Sequence, residues 1–295
     1  MNLRDLVQSA VALVVFASAY ALIRIALSEL PPLTVAALRF ALASSLMVPI
    51  AFMHYRAQKP NSGFARSDYP ILFVLAVAQI FVPNVLQNIG LEYTTASVSS
   101  VLQSTTPVFT LLLCFAFLKE KIGWREFSGV IVGMTGVVLL STGGELANLS
   151  GSVFLGNVLQ IGVAASYAAS GIIGKVILRK YGPMFVVTFL FVIGGVMLST
   201  FAVLFERIAW PKFVSNEVLV ALLLLSFLYC LALLSWYDVL QRTAVFQLYV
   251  LLFTMPVLAV IISVIVLRES FTLLDVVFSA MTLLGVAITQ IQRAQ

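Results

Sequence analysis

Apolar residues run on in this chain without the interruptions that a water-facing surface imposes. The stretches Ala10 to Ile23 and Ala221 to Leu234 hold no charged residue. A helix needs roughly 20 mostly apolar residues to cross a bilayer, whereas a barrel strand needs about 10 that alternate apolar with polar. These runs do not alternate, so the pattern predicts helices and excludes a barrel. Lipid offers no water to the backbone, which leaves the helix as the spanning element. Ten spans are predicted, at approximately 5–26, 33–53, 70–91, 96–118, 126–143, 153–174, 183–205, 218–240, 245–267 and 273–291. Short links rich in helix breakers separate them, among them Pro31-Pro32, Pro60-Asn61-Ser62-Gly63, Gly143-Gly144 and Gly182-Pro183. The run from Leu6 to Ile25 is long enough to span by itself and reads as the first helix, not a cleaved leader.

Composition agrees with this reading. Hydrophobic residues make up 61% of the chain and charged ones 10%, against roughly 25% charged in an ordinary soluble domain. The net charge of +5 does not point to nucleic acid, because no soluble basic domain carries it. Loop Lys and Arg in a membrane protein chiefly set orientation. With the N-terminus placed in the cytoplasm, 12 of the 17 basic residues fall on the cytoplasmic side and 3 on the other. Arg24 and Arg39 lie inside spans near their outer ends. A multi-pass protein with both termini cytoplasmic is expected.

The chain also repeats itself. Pro107 is followed by Leu118-Lys119-Glu120, and Pro256 by Leu267-Arg268-Glu269, with 13 residues from proline to glutamate each time. Gly136 and Gly285 extend the match at the same offset of 149. Arg24 and Pro32 match Lys175 and Pro183 at 151. The expected halves are 1–147 and 148–295, each with five spans. An odd number turns the second half upside down in the membrane, which is the architecture of alternating access around a midplane site.

These residues resemble the drug/metabolite transporter superfamily, in its ten-helix branch with two EamA-type domains. The likeness rests on Phe16-Ala17-Ser18, Arg24, Pro32, Arg39, Pro107, Leu118-Lys119-Glu120, Gly129, Gly133 and Gly136 in the first half. Lys175, Pro183, Pro256, Leu267-Arg268-Glu269 and Gly285 carry it in the second. Phe16 stands where the family has tryptophan, and the second half keeps few of the glycines. The stretches Phe81 to Thr95 and Trp236 to Pro256 look most like the bacterial inner-membrane exporters of amino acids, aromatic ones included. The resemblance implies an all-α polytopic fold of two inverted five-helix repeats and a carrier of small metabolites, amino acids foremost.

Polar side chains within the spans mark a candidate substrate cavity. Those singled out are Gln79, Asn84 and Gln87 in the third span and Ser100, Gln103 and Thr106 in the fourth. Gln160 and Tyr167 in the sixth, Tyr229 and Trp236 in the eighth, and Tyr249 in the ninth complete the set. Amides and hydroxyls at membrane depth face protein or water, so they either line a cavity or bond neighbouring helices. Trp236 and Tyr237 also fit interfacial anchors. Pro107 and Pro256 fit paired hinges or static kinks, because a proline inside a helix removes one backbone hydrogen bond. Arg24 and Arg39 are candidate functional charges or snorkelling ones. Glu120 and Glu269 read as loop ties, and Asp238 with Arg242 as an interfacial ion pair.

No catalytic cluster, metal set or phosphate loop is found. His54 stands alone, Cys114 and Cys230 fall in spans, and no acidic residue sits at the predicted midplane. The expected protein is therefore no enzyme and needs no cofactor. It is a monomeric facilitative exporter or exchanger whose partners are a small molecule and membrane lipid. Drugs, nucleotide sugars and sugar phosphates are the alternative cargoes. A passive channel or a membrane-embedded enzyme is the alternative class.

Overall fold

A computed structural model describes residues 1–58, 64–93, 99, 102–118, 123–142, 151–206, 214–255, 257–258 and 273–290. Among them every regular element is helical. The chain is an all-α polytopic membrane protein. Six of its helices are long and apolar enough to cross a bilayer, and 106–117 and 276–289 add shorter apolar helices. Phe115, Phe117, Val203 and Leu204 stand exposed on the outside, an apolar surface that lipid covers.

The helices are α1 (Leu3–Leu27), α2 (Pro32–Gln58), α3 (Tyr69–Ala76, continued by Val77–Phe81 and Val82–Tyr93) and α4 (Thr106–Leu113 and Cys114–Leu118). Then come α5 (Trp124–Thr142), α6 (Gly151–Leu178) and α7 (Pro183–Phe205). The last are α8 (Asn216–Arg242), α9 (Val245–Tyr249, continued by Val250–Phe253) and α10 (Leu273–Gln290). Their starts follow local chemistry. Asn2 Oδ1 accepts the Asp5 N–H at 2.8 Å and caps α1. Ser215 caps α8, its hydroxyl accepting the Val218 N–H. Prolines open α2 and α7, where a missing N–H costs nothing.

Packing follows a two-fold rule. The principal pairs are α5 with α10, α2 with α7, α1 with α8 and α3 with α6. Exchange each helix for the one five places along, and the same four pairs return. Glycines set the closest of these approaches. A methyl at Gly136 would lie 2.6 Å from the Thr282 N, and one at Gly285 would lie 2.5 Å from the Gly133 Cα. Those two contacts are mates at the offset of 149 read from the sequence. Small residues let membrane helices meet backbone to backbone, where van der Waals contact replaces the missing hydrophobic drive.

The symmetry is broken around α1. Helix α6 packs on α8, but among the described residues the mate pair, α1 and α3, barely meets. Lys175 on α6 donates to the Leu240, Gln241 and Thr243 carbonyls at 2.9, 3.1 and 2.6 Å, closing the C-terminus of α8. Its sequence mate Arg24 stands exposed.

Each end of the bundle has its own ties. At the end bearing the N-terminus, Arg242 bridges Asp238 at 2.7 Å and Asp5 at 3.0 Å, and donates to Gln8 at 2.8 Å. The expected ion pair is thus part of a network joining α1 to α8. Lys180 there pairs with Asp68 at 3.0 Å, and this bond and the carboxylate charge hold the ammonium above its ordinary pKa. At the opposite end Glu206, just past α7, accepts the Leu33 and Thr34 N–H groups at 2.6 and 2.7 Å and the Thr34 hydroxyl at 2.6 Å. It caps α2 from the other half. Glu29 likewise accepts the Ser215 N–H, and the Ser215 bonds hold its carboxyl below the usual range.

Candidate substrate cavity

Gln79 sits where α3 departs from α-geometry. Residues Val77–Phe81 form a π turn, in which each N–H reaches back five residues, as Val82 does to Val77. In that register the Ala78 carbonyl would pair with residue 83. Pro83 has no N–H to offer, so the carbonyl is left open inside the bundle. Ser166 on α6 fills it, its hydroxyl donating to the Ala78 oxygen at 2.8 Å. Proline thus explains both the bulge and the serine opposite. Such bulges recur at functional sites because they turn a side chain out of its regular row. Here the residue carried on the bulge is Gln79, whose Oε1 accepts the Ser170 hydroxyl.

A second interruption lies at the start of α4. The chain turns at 104–105, Thr105 occupies the cap position, and Pro107 falls in the first turn of the helix that restarts at Thr106. The expected kink or hinge at Pro107 thus takes the form of a break at 104–105, with the proline opening the helix that follows. Proline in a first turn removes no helical bond, since those N–H groups have no partner within the helix. The mate of this break is the 3₁₀ stretch Val250–Phe253 in α9. Pro256 lies outside the described residues, as do Ser100, Glu120 and Glu269. Discontinuous helices of this kind surround the midplane sites of transporters.

Between the two interruptions lies a cavity of about 80 Å³. The first half contributes Gln79 and Gln87 from α3, Gln103 and Ser104 just before α4, Thr106 from α4, and Arg39 from α2. The second contributes Tyr229, Leu233 and Trp236 from α8, Tyr249 and Leu252 from α9, and Met255 just beyond it. Tyr167 of α6 and Phe16, Ala19 and Ile23 of α1 complete the described lining. Gln103 and Leu252 are mates at the 149 offset, as are Thr106 and Met255. Symmetric positions therefore hold polar groups on one wall and apolar ones on the other.

The aromatic wall is mutually packed. Phe16 meets Tyr229 and Trp236 at ring separations of 5.7 and 5.8 Å, and Trp236 meets Tyr249 at 5.6 Å. Gly171 gives Tyr249 its place, since a methyl there would stand 2.6 Å from the Tyr249 hydroxyl oxygen. Trp236 and Tyr237 are both buried, so the interfacial-anchor reading is corrected for both. Gln160 stands one layer behind the polar wall. It accepts from Gln103 Nε2 at 2.8 Å and donates to the Gln87 carbonyl at 3.2 Å. Asn84 is buried beside the cavity and donates to the Ile80 carbonyl at 2.6 Å. Of the residues expected to line a cavity, these two are placed in helix-to-helix and intrahelical bonds instead.

Arg39 does not snorkel. It is 3% exposed, and its guanidinium lies 4.1 Å from the Tyr229 ring centre and 5.0 Å from that of Phe40. No carboxylate pairs with it among the described residues, and its Nε has no hydrogen-bond partner. Removing a cation from water costs several kcal/mol, of the order of 5, while a desolvated cation–π contact returns about 2. The two rings offset only part of the cost. A cavity this small holds a few waters, well under the roughly 300–1,000 Å³ of a ligand-filled pocket. The walls must part before a metabolite enters.

Comparison with other proteins gives this arrangement its context. The model of the EamA-like transporter family matches the chain twice, over residues 6–142 and 154–291. An uncharacterized transporter of Archaeoglobus fulgidus is 29% identical over 296 residues, covering 100% of both chains. The uncharacterized transporter YetK of Bacillus subtilis is 24% identical over 292 residues, covering 98% of this chain and 87% of its own. A solved crystal structure superposes with a TM-score of 0.80 at 17% identity, covering 98% of each chain, and shares the fold. The chain belongs to the EamA-like transporter family and serves the membrane transport of small molecules.

Proposed function

We propose that the chain exports neutral amino acids, aromatic ones among them, and similar small metabolites, by alternating access through the central cavity. The observation that carries this reading is the two-faced lining. Amide, hydroxyl and guanidinium groups from α2, α3 and residues 103–106 share the lining with the rings and aliphatic tips of α1, α8 and residues 249–255. A molecule with a polar head and an apolar side chain satisfies both walls, which fits a site that is mostly apolar with few placed polar groups. The resemblance read from the stretches Phe81 to Thr95 and Trp236 to Pro256 points to the same cargo. The breaks at 104–105 and 250–253 are the points where α4 and α9 flex. Gln79, Gln87, Gln103, Thr106, Tyr167, Tyr229, Trp236 and Tyr249 contact the cargo, and Asn84 and Gln160 hold the wall behind them. The carrier sits in a bacterial inner membrane as a monomer, with both termini inside.

Phosphorylated cargo fits less well. Arg39 is the one cation among the described lining residues, and a sugar phosphate would want several.

Counterflow tests the reading. Purified protein in liposomes preloaded with unlabelled amino acid should accumulate the labelled form transiently and saturably, with aromatic residues among the best of a panel. Flux that rises linearly with concentration, or absence of counterflow for every amino acid, would reject it.

A further inference from the structure

The geometry points to Arg39 as the anion receptor of the cavity, so that the cargo is recognised by its carboxylate and not by its amine. The inference rests on the amphiphilic-cargo reading above and narrows it. Arg39 is buried, lines the cavity and leaves its Nε without a partner. A buried guanidinium is retained where an anion completes it. In the empty cavity the Tyr229 ring lies against the cation instead. Ring and carboxylate compete for one guanidinium, and the planar fork suits a carboxylate bidentately.

Among the described lining residues the opposite charge is not provided for. The described lining includes no Asp or Glu, so an ammonium meets only amide oxygens, hydroxyls and ring faces. Such partners are neutral, and the Tyr229 ring that attracts a cation already lies against Arg39, whose charge opposes an ammonium. Removing the amine from the cargo therefore costs less than removing the carboxylate, which removes the one charge-assisted contact. The substrate class that follows is monocarboxylates with an apolar side chain, amino acids being one member.

Thermal stabilisation of the full chain in detergent tests this with a matched pair of probes. Both 3-phenylpropionate, a carboxylate without amine, and phenylalanine should stabilise the wild-type protein at comparable concentrations. The amine without carboxylate, 2-phenylethylamine, should need at least about tenfold more. Arg39→Gln should weaken the carboxylate response by about tenfold or more and leave the response to the amine no weaker. Arg39→Lys keeps the charge without the fork and should fall between. Equal binding of amine and carboxylate by the wild type overturns the assignment, as does unaltered carboxylate binding in Arg39→Gln. Should the glutamine variant not fold, the wild-type pair and the lysine variant decide. If carboxylates bind through Arg39 while no amino acid shows counterflow, the amino-acid reading falls and the receptor stands.

Discussion

Gly285→Ala is expected to destabilise the protein by about 3 kcal/mol or more, a large loss for one added methyl. The new carbon would lie 2.5 Å from the Gly133 Cα and 2.7 Å from the Gly129 carbonyl oxygen. Both are backbone atoms, so no rotamer change relieves the clash. Only separation of α5 and α10 does, and that pair makes the most extensive helix contact among the described residues. Gly136→Ala meets the Thr282 N at 2.6 Å and should behave alike, because the two sites are mates. Gly182→Ala is the control. Nothing lies within 4 Å of its added carbon, and its backbone is extended, so only the helix-cap preference changes and stability should fall by no more than about 1 kcal/mol. Denaturation of the detergent-solubilised variants measures all three.

Glu206→Ala should cost about 2–3 kcal/mol by the same assay. Its carboxylate takes two N–H groups and a hydroxyl at the start of α2, where the helix dipole also favours negative charge. Alanine strands two helix-end donors at a junction between the halves. Glu206→Gln retains an acceptor without the charge and should lose roughly half as much. Equal stability of the alanine variant and wild type would show that water replaces the cap fully.

Much of this was legible in the sequence. Proline, glutamate and glycine recurring at one offset fix which helices are mates, and pairing by mates then follows from a two-fold relation. The polar positions were legible too, because amides seldom face lipid. Their assignment to layers was not. Gln160 and Gln103 look alike along the chain, and only the crossing of α3, α4 and α6 decides which faces the cavity and which braces it. Arg39 was ambiguous for a similar reason. A cation seven residues from a helix start reaches water or stays inside according to its neighbours, and Tyr229 comes from another helix 190 residues on. The π turn did leave a signal in Pro83, a proline within a polar row, but the serine that completes it lies on α6. Glu206 left none, since its partner helix is remote in sequence.

Access to the cavity from both faces is the most direct test of the account as a whole. In a variant with Cys114 and Cys230 replaced by alanine, Ser104→Cys places a single thiol on the polar wall. A membrane-impermeant thiol reagent is applied to each face of oriented vesicles in turn, with and without cargo. Alternating access predicts reaction from both faces, with cargo raising the rate from one and lowering it from the other as the states redistribute. Reaction from one face only, or from both in a ratio that cargo leaves fixed, would contradict it.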